Sequence, residues 1–271
     1  MKKNYRIFWI VSASLLGIGF ICLIIGFATG AGTANFKQQF ENGFVINRQR
    51  FADDYLDSTT KRYEDIEKLE IDMEAGELEI VLHDKPYIEV DAQYNTKQKR
   101  VSITQKEQKL QIKSGERYKI GNFTVKNNKI TVYIPQEMEF ERVKIDLGVG
   151  RFYAEDIRSR EFKLESGAGE SRIENLEVGT FSIDAGVGEV ELKNVRVEEK
   201  GILDGGVGAI SMKLQGKQEE YNYRLDLGVG SVTIGSDEYA ALGADRRIDN
   251  DADKDITITC GVGAVTVMFE Y

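Results

Sequence analysis

From about residue 66 onward, apolar and polar residues alternate at period two almost without a break. LEIDM, ELEIVL, YIEVDAQY, RVSITQ, KLQIKS and KITVYIP all carry the pattern. It predicts β-strands with one buried and one solvated face. Asn127–Asn128, between FTVK and KITVYI, reads as a hairpin turn. Pro86 and Pro135 fall at strand ends, where a missing N–H does least harm. Residues 66–140 therefore read as an antiparallel or mixed opening segment.

Beyond it a heptapeptide returns: KIDLGVG (144–150), KLESGAG (163–169), SIDAGVG (182–188), ILDGGVG (202–208), RLDLGVG (224–230) and TITCGVG (257–263), with a fainter EIDMEAG at 70–76. The second glycines stand at 150, 169, 188, 208, 230 and 263, so the steps are 19, 19, 20, 22 and 33. A period near 20 residues marks a stacked repeat array. Within each copy the apolar phase slips at the second glycine: Ile145, Leu147 and Val149 are followed by Phe152 and Ala154, and Ile183, Ala185 and Val187 by Val190 and Leu192. A strand cannot change phase without a corner or bulge, and glycine suits such a corner because it lacks Cβ.

The corner positions are thus Gly148, Gly150, Gly167, Gly169, Gly186, Gly188, Gly206, Gly208, Gly228, Gly230, Gly261 and Gly263. The expected fold is all-β, a single-chain β-solenoid of about six GxG repeats of 19–22 residues over 141–271. Its rungs would lie about 4.8 Å apart. The opening segment would cap one end and the last strand, TVMFEY, the other; longer connectors such as 235–255 would be loops to one side.

The first 65 residues differ in kind. Lys2, Lys3 and Arg6 in segment 1–6 precede an uncharged apolar run at 7–28. A helix of 22 residues spans the roughly 30 Å hydrocarbon core, and basic residues before it place the N-terminus in the cytoplasm. A signal-peptide core has about 7–15 apolar residues, so the length favours an uncleaved anchor, while small residues at 28–34 leave a cleavage site available. Segment 29–65 reads as a juxtamembrane stalk, and Ser58-Thr59-Thr60 as a loop before the folded domain.

Charge and chemistry narrow the function. The formal net charge of −9 argues against nucleic acid as a partner. Cys22 and Cys260 lie in unrelated segments, and no disulfide is expected. The glycine pairs lack the third glycine and the following helix of a dinucleotide site. His83, the sole histidine, sits in a turn-like LHDKP, and no nucleophile, acid–base pair or cofactor motif emerges, so neither an enzyme nor a cofactor is expected. Asp146, Glu165, Asp184, Asp204 and Asp226 share one outward repeat position and predict an acidic column, offset by Lys144, Lys163 and Arg224 two residues earlier. The column reads first as a solvated charge ladder; its sharper reading is a collector of Ca²⁺ or of a cationic partner. Asp249, Asp251, Asp253 and Asp255 imitate the start of a calcium loop, although Lys254 replaces its turn glycine and Cys260 its closing Glu. They are the loop-type calcium candidates, against the alternative of a polar turn.

The IDLGVG, SIDAGVG and RLDLGVG ladder follows LEIDMEAGELEIVL and KITVYIP. Together they resemble a bacterial β-strand-repeat family of adhesin-like proteins of unknown function, over about residues 66–271. One membrane-anchored branch of it is called LiaG-like. The resemblance implies an extracytoplasmic domain on a single-pass anchor in the cell membrane of Gram-positive bacteria. It brings no catalytic residues. The function expected is a binding or scaffold module at the cell envelope, with an envelope protein or a wall polymer as partner. The alternative is an accessory regulator of an envelope-stress response acting with a membrane sensor.

Overall fold

The glycine pairs bend the strands into stacked parallel rungs. This is seen in the computed structural model, which describes residues 57–94, 101–114 and 128–270, all within one unit, Tyr55–Tyr271. The apolar run 7–28, most of the stalk and the FTVK half of the expected hairpin lie outside the described residues. Among those described, no helix is long and apolar enough to cross a membrane.

Strand β2 (Lys68–His83) pairs in parallel with the start of β7 (Glu139–Gln215), setting Ile71 beside Ile145, Asp72 beside Asp146 and Gly76 beside Gly150. The 77 residues of β7 then pass through successive glycine corners, with Gly148, Gly167, Gly186 and Gly206 stacked on one another. The next rung in space is β10 (Lys254–Glu270), which places Gly263 beside Gly208. On its far side lies β8 (Tyr221–Ile234), with Gly230 beside Gly263. The outer edge of β8 carries the antiparallel β9 (Asp237–Ile248).

At the opposite end, β2 pairs in parallel with β5 (Lys109–Ser114) over its first half and with β6 (Asn128–Pro135) over its second. Antiparallel strands close this end: β4 (Val101–Lys106) on β5, β3 (Ile88–Tyr94) on β6 and β1 (Asp57–Tyr63) on β3. The all-β repeat architecture is as the sequence predicts, and the opening segment is indeed mixed. The stacking order is not sequential. Rung 254–270 lies between rungs 200–215 and 221–234, so the last described strand is interior rather than a cap, and β9 covers that end.

The connector after β7 shows how the skip is made. It turns through a short 3₁₀ segment, Gln218–Glu220, and two buried tyrosines of β8 fasten it: Tyr221 donates to the Gln215 carbonyl at 2.7 Å and Tyr223 to the Gln218 carbonyl at 3.1 Å. The Gly216 and Gly235 N–H groups donate to the carbonyls of Glu270 and Val267 in β10, which fills the space between. Two further expectations are corrected. Residues 235–255 contain β9 rather than loop alone, and the strand Asp57–Tyr63 lies inside the expected stalk, where Ser58-Thr59-Thr60 is strand rather than loop. Segment 57–63 is polar because it is an edge strand, so it shows no core-facing alternation.

Inside the stack, apolar columns run through successive rungs: Ile71, Ile145, Leu164, Ile183, Leu203, Ile258 and Leu225 are all buried. Each such residue removes water from apolar surface worth roughly 1.5–3 kcal/mol. A glycine makes room where a ring intrudes. The ring of Phe181 and Ile256 occupy the space a side chain at Gly201 would need. Ser166 and Ser171, buried across one corner, hydrogen-bond to each other at 3.3 Å.

Candidate functional site

The corner between the two glycines is the feature each rung repeats on the outside. At Gly208 the backbone has φ +141°, and a Cβ there would fall on the Gly188 carbonyl oxygen of the rung beside it. Only glycine permits that approach. At Gly230, on the terminal rung of the series, φ is not in the positive range.

The residue between the glycines cannot point inward, because the chain is turning there. Val149, Val187, Val207, Val229 and Val262 are 54, 56, 49, 59 and 47% exposed. This corrects the expectation that they continue the core phase of Ile145–Leu147 or Ile183–Ala185. The side chain thus leaves the core phase between the two glycines, and the left-handed backbone lies at the second, Gly150, Gly169, Gly188, Gly208 and Gly263. In spatial order the edge reads Ala75, Val149, Ala168, Val187, Val207, Val262, Val229.

Four positions before the second glycine lies an acid on every rung but that of Gly263, which has Thr259. The structure brings Asp146, Glu165, Asp184 and Asp204 into one column, extends it with Asp72 beside Asp146, and interrupts it. Thr259 stands between Asp204 and Asp226, and Asp226 faces Asp245 of β9. The electrostatics vary along it. Glu165 accepts from Lys163 at 2.7 Å, and that bond holds its carboxyl below the usual range. Lys113 approaches Asp72 at 4.0 Å. Asp146 is pushed up by partial burial and then by Glu165 and Asp72. Asp204 is pushed up by partial burial, Asp184 and Asp226, with no cation opposing.

A second array lies away from this edge. Asn175 donates to the Glu155 carbonyl at 2.9 Å, Asn194 to Asn175 at 2.9 Å and Gln215 to Asn194 at 2.7 Å. These amides line an open groove of about 750 Å³ with the Lys193–Glu174 and Lys213–Glu270 ion pairs, each at 3.0 Å. Sequence reasoning missed this ladder, although Asn175 and Asn194 repeat at the period of 19. Its groups satisfy one another, so it is a structural spine first.

The other candidates have local roles. In the 249–255 turn, Asn222 of β8 donates to the Ala252 carbonyl at 2.7 Å and to Asp255 at 3.2 Å, and accepts from the N–H groups of Asn250 and Ala252. Asp249 accepts from the Asp251 N–H at 3.3 Å and pairs with Arg247 at 3.3 Å. Asp253 is exposed. Among the described residues, no group of three or more His, Cys, Asp or Glu side chains is placed to hold a metal ion. His83 closes β2, half-buried, with Nε2 2.7 Å from the Tyr87 carbonyl. Cys260 is a buried free thiol whose pKa burial raises.

The sequence pattern of the Toastrack DUF4097 family matches residues 66–204 and, overlapping, 136–268. No curated protein sequence matches the chain. Three solved structures are similar. One is of a "putative cell adhesion protein" from Clostridium sporogenes: 17% identity, 79% of this chain, 99% of that one, TM-score 0.48. Another is of a "putative adhesin" from Bacteroides fragilis: 14%, 79%, 99% and 0.38. The third is of a "putative lipid binding protein" from Parabacteroides distasonis: 13%, 78%, 96% and 0.36.

Proposed function

The chain belongs to the Toastrack DUF4097 family, and from that premise we propose that it is a binding or scaffold module of the bacterial cell envelope. The observation that carries the reading is the outer corner edge. One rung after another presents a solvent-facing residue between two glycines, with an acid at a fixed offset on all of these rungs but that of Thr259. A repeated array of this kind suits recognition of an extended partner, because each rung adds one equivalent contact.

Placement at the envelope, on a single-pass anchor with the N-terminus in the cytoplasm, is part of the same proposal. It is supported by Lys2, Lys3 and Arg6 before the apolar run 7–28. Affiliation with the LiaG-like branch is its finer form. The test is expression of the full chain with a C-terminal tag in a Gram-positive host, followed by protease treatment of intact protoplasts. Membrane-bound tag that the protease removes is the expected result. A tag that stays protected in the cytosolic fraction refutes the placement. An envelope-stress reporter in a deletion strain tests the regulatory alternative; unchanged output counts against it.

A further inference from the structure

The corner edge is not uniform. On the rungs of Asp146 and Glu165, Lys144 and Lys163 stand two residues earlier. On the next three rungs in space those positions are Ser182, Ile202 and Thr257, and a cation returns only with Arg224. Among the described residues, no ion pair within 4.0 Å joins Asp184, Asp204 or Asp226 to a Lys or Arg. Over the same rungs the edge is continuously apolar: Val187, Val207, Val262 and Val229, each about half exposed, with Ala209 and Ala264 exposed just past their glycines. The out-of-order insertion of β10 makes this run, because it seats Val262 between Val207 and Val229.

Valine is not required here for the backbone. Threonine has nearly the same shape and β-preference, and this chain uses Thr233, Thr257, Thr259 and Thr266 at other outward strand positions. We propose that the edge of Val187, Val207, Val262 and Val229, with the row of Asp184, Asp204 and Asp226 beside it, docks a cationic amphipathic segment of a partner polypeptide. Charge complementarity selects this occupant. A second copy would bring its own acid row against this one, and an anionic lipid surface would be repelled by it. A partner strand or strap alternating Lys or Arg with Leu or Val answers both rows at once. The inference rests on the binding-module reading and names the partner chemistry for its face.

The test uses the full chain in phosphatidylcholine nanodiscs and a short fluorescein-labelled peptide of alternating Lys and Leu. Peptides of Lys/Ser and of Glu/Leu, and empty discs, serve as controls. Anisotropy should report binding of the Lys/Leu peptide alone. Affinity should fall about tenfold in Val207→Thr/Val262→Thr and in Asp184→Asn/Asp204→Asn, both checked by thermal melting to be folded at the assay temperature. High salt should weaken binding to the wild type far more than to the Asn variant.

No binding, wild-type affinity in both double variants, or equal binding of the Glu/Leu peptide overturns the proposal. So does self-association that the Thr substitutions abolish, which would assign the edge to a second copy, or edge-dependent binding to anionic vesicles. Because the peptide assay does not depend on cellular location, its failure and failure of the protoplast experiment are separable.

Discussion

Thr259 stands in register beside Asp204. On its other side is Asp226, so a neutral hydroxyl separates two carboxylates that would otherwise be adjacent. Unit charges about 4.8 Å apart in water repel by roughly 1 kcal/mol. Thr259→Asp should therefore cost about 2 kcal/mol at low salt and lower Tm by about 4–8 °C. The loss should shrink in high salt and disappear in acid. Thermal melts across salt and pH check this; a variant that melts like the wild type at neutral pH and low salt counts against the register.

Asp204 itself gives a pH prediction. Partial burial, then Asp184 and Asp226, raise its pKa, so the folded chain holds this proton more tightly than the unfolded chain. Stability from this group is complete below the unfolded value of about 3.9 and is lost as pH rises through the higher folded value. Ionised Asp204 is thus a cost at neutral pH. Asp204→Asn should raise Tm by up to about 2–4 °C at pH 7, discounted for its exposure, and change nothing near pH 3.

Two neighbouring glycines should respond oppositely to alanine. Gly205 has no positive φ, and its Cβ would meet Ile210 Cδ1 at 3.3 Å beside a small void of about 10 Å³. Gly205→Ala should be neutral or gain about 0.5–1 kcal/mol from reduced chain entropy. Gly208→Ala, at φ +141° and against the Gly188 carbonyl, should cost more than about 3 kcal/mol. Urea denaturation of both variants checks the pair.

The buried Ser166–Ser171 hydrogen bond offers a double-mutant cycle. Either single Ser→Ala strands one buried hydroxyl and should cost about 1–3 kcal/mol, whereas the double variant should come close to the wild type. Additive losses would show that the pair is not coupled.

The particular residues show what the sequence could and could not disclose. Alternation around Ile183 and Val190 identifies strands, and the phase slip identifies the corner, because both are local. The direction of Val187 is not legible because two glycines leave the phase between them undefined; only the turning backbone decides that it faces out. The order of rungs was hidden for a different reason. TITCGVG fits beside ILDGGVG as well as beside RLDLGVG, so pattern alone cannot rank the neighbours. The step of 33 before Gly263 was the available signal, since 235–253 is long enough for a strand that doubles back. Of the corner edge, the acids are legible in the sequence and the valine row is not, for the same reason as Val187. The amide ladder escaped notice because Asn175 and Asn194 carry no apolar signal.

Both ends of the stack reverse the order of synthesis: 68–83 is made before 109–114 and 128–135 yet lies inside them, and 254–270 is made after 221–234 yet lies inside that. The last of these segments therefore arrives as a keystone. Until it leaves the ribosome, rung 200–215 and rung 221–234 each hold an open face, and assembly cannot simply zip from one end. Once seated, it is held on both flanks, so a pull on that segment must break two ladders at once rather than peel one. An ordinary repeat array unravels from its terminal units; this one is latched from within.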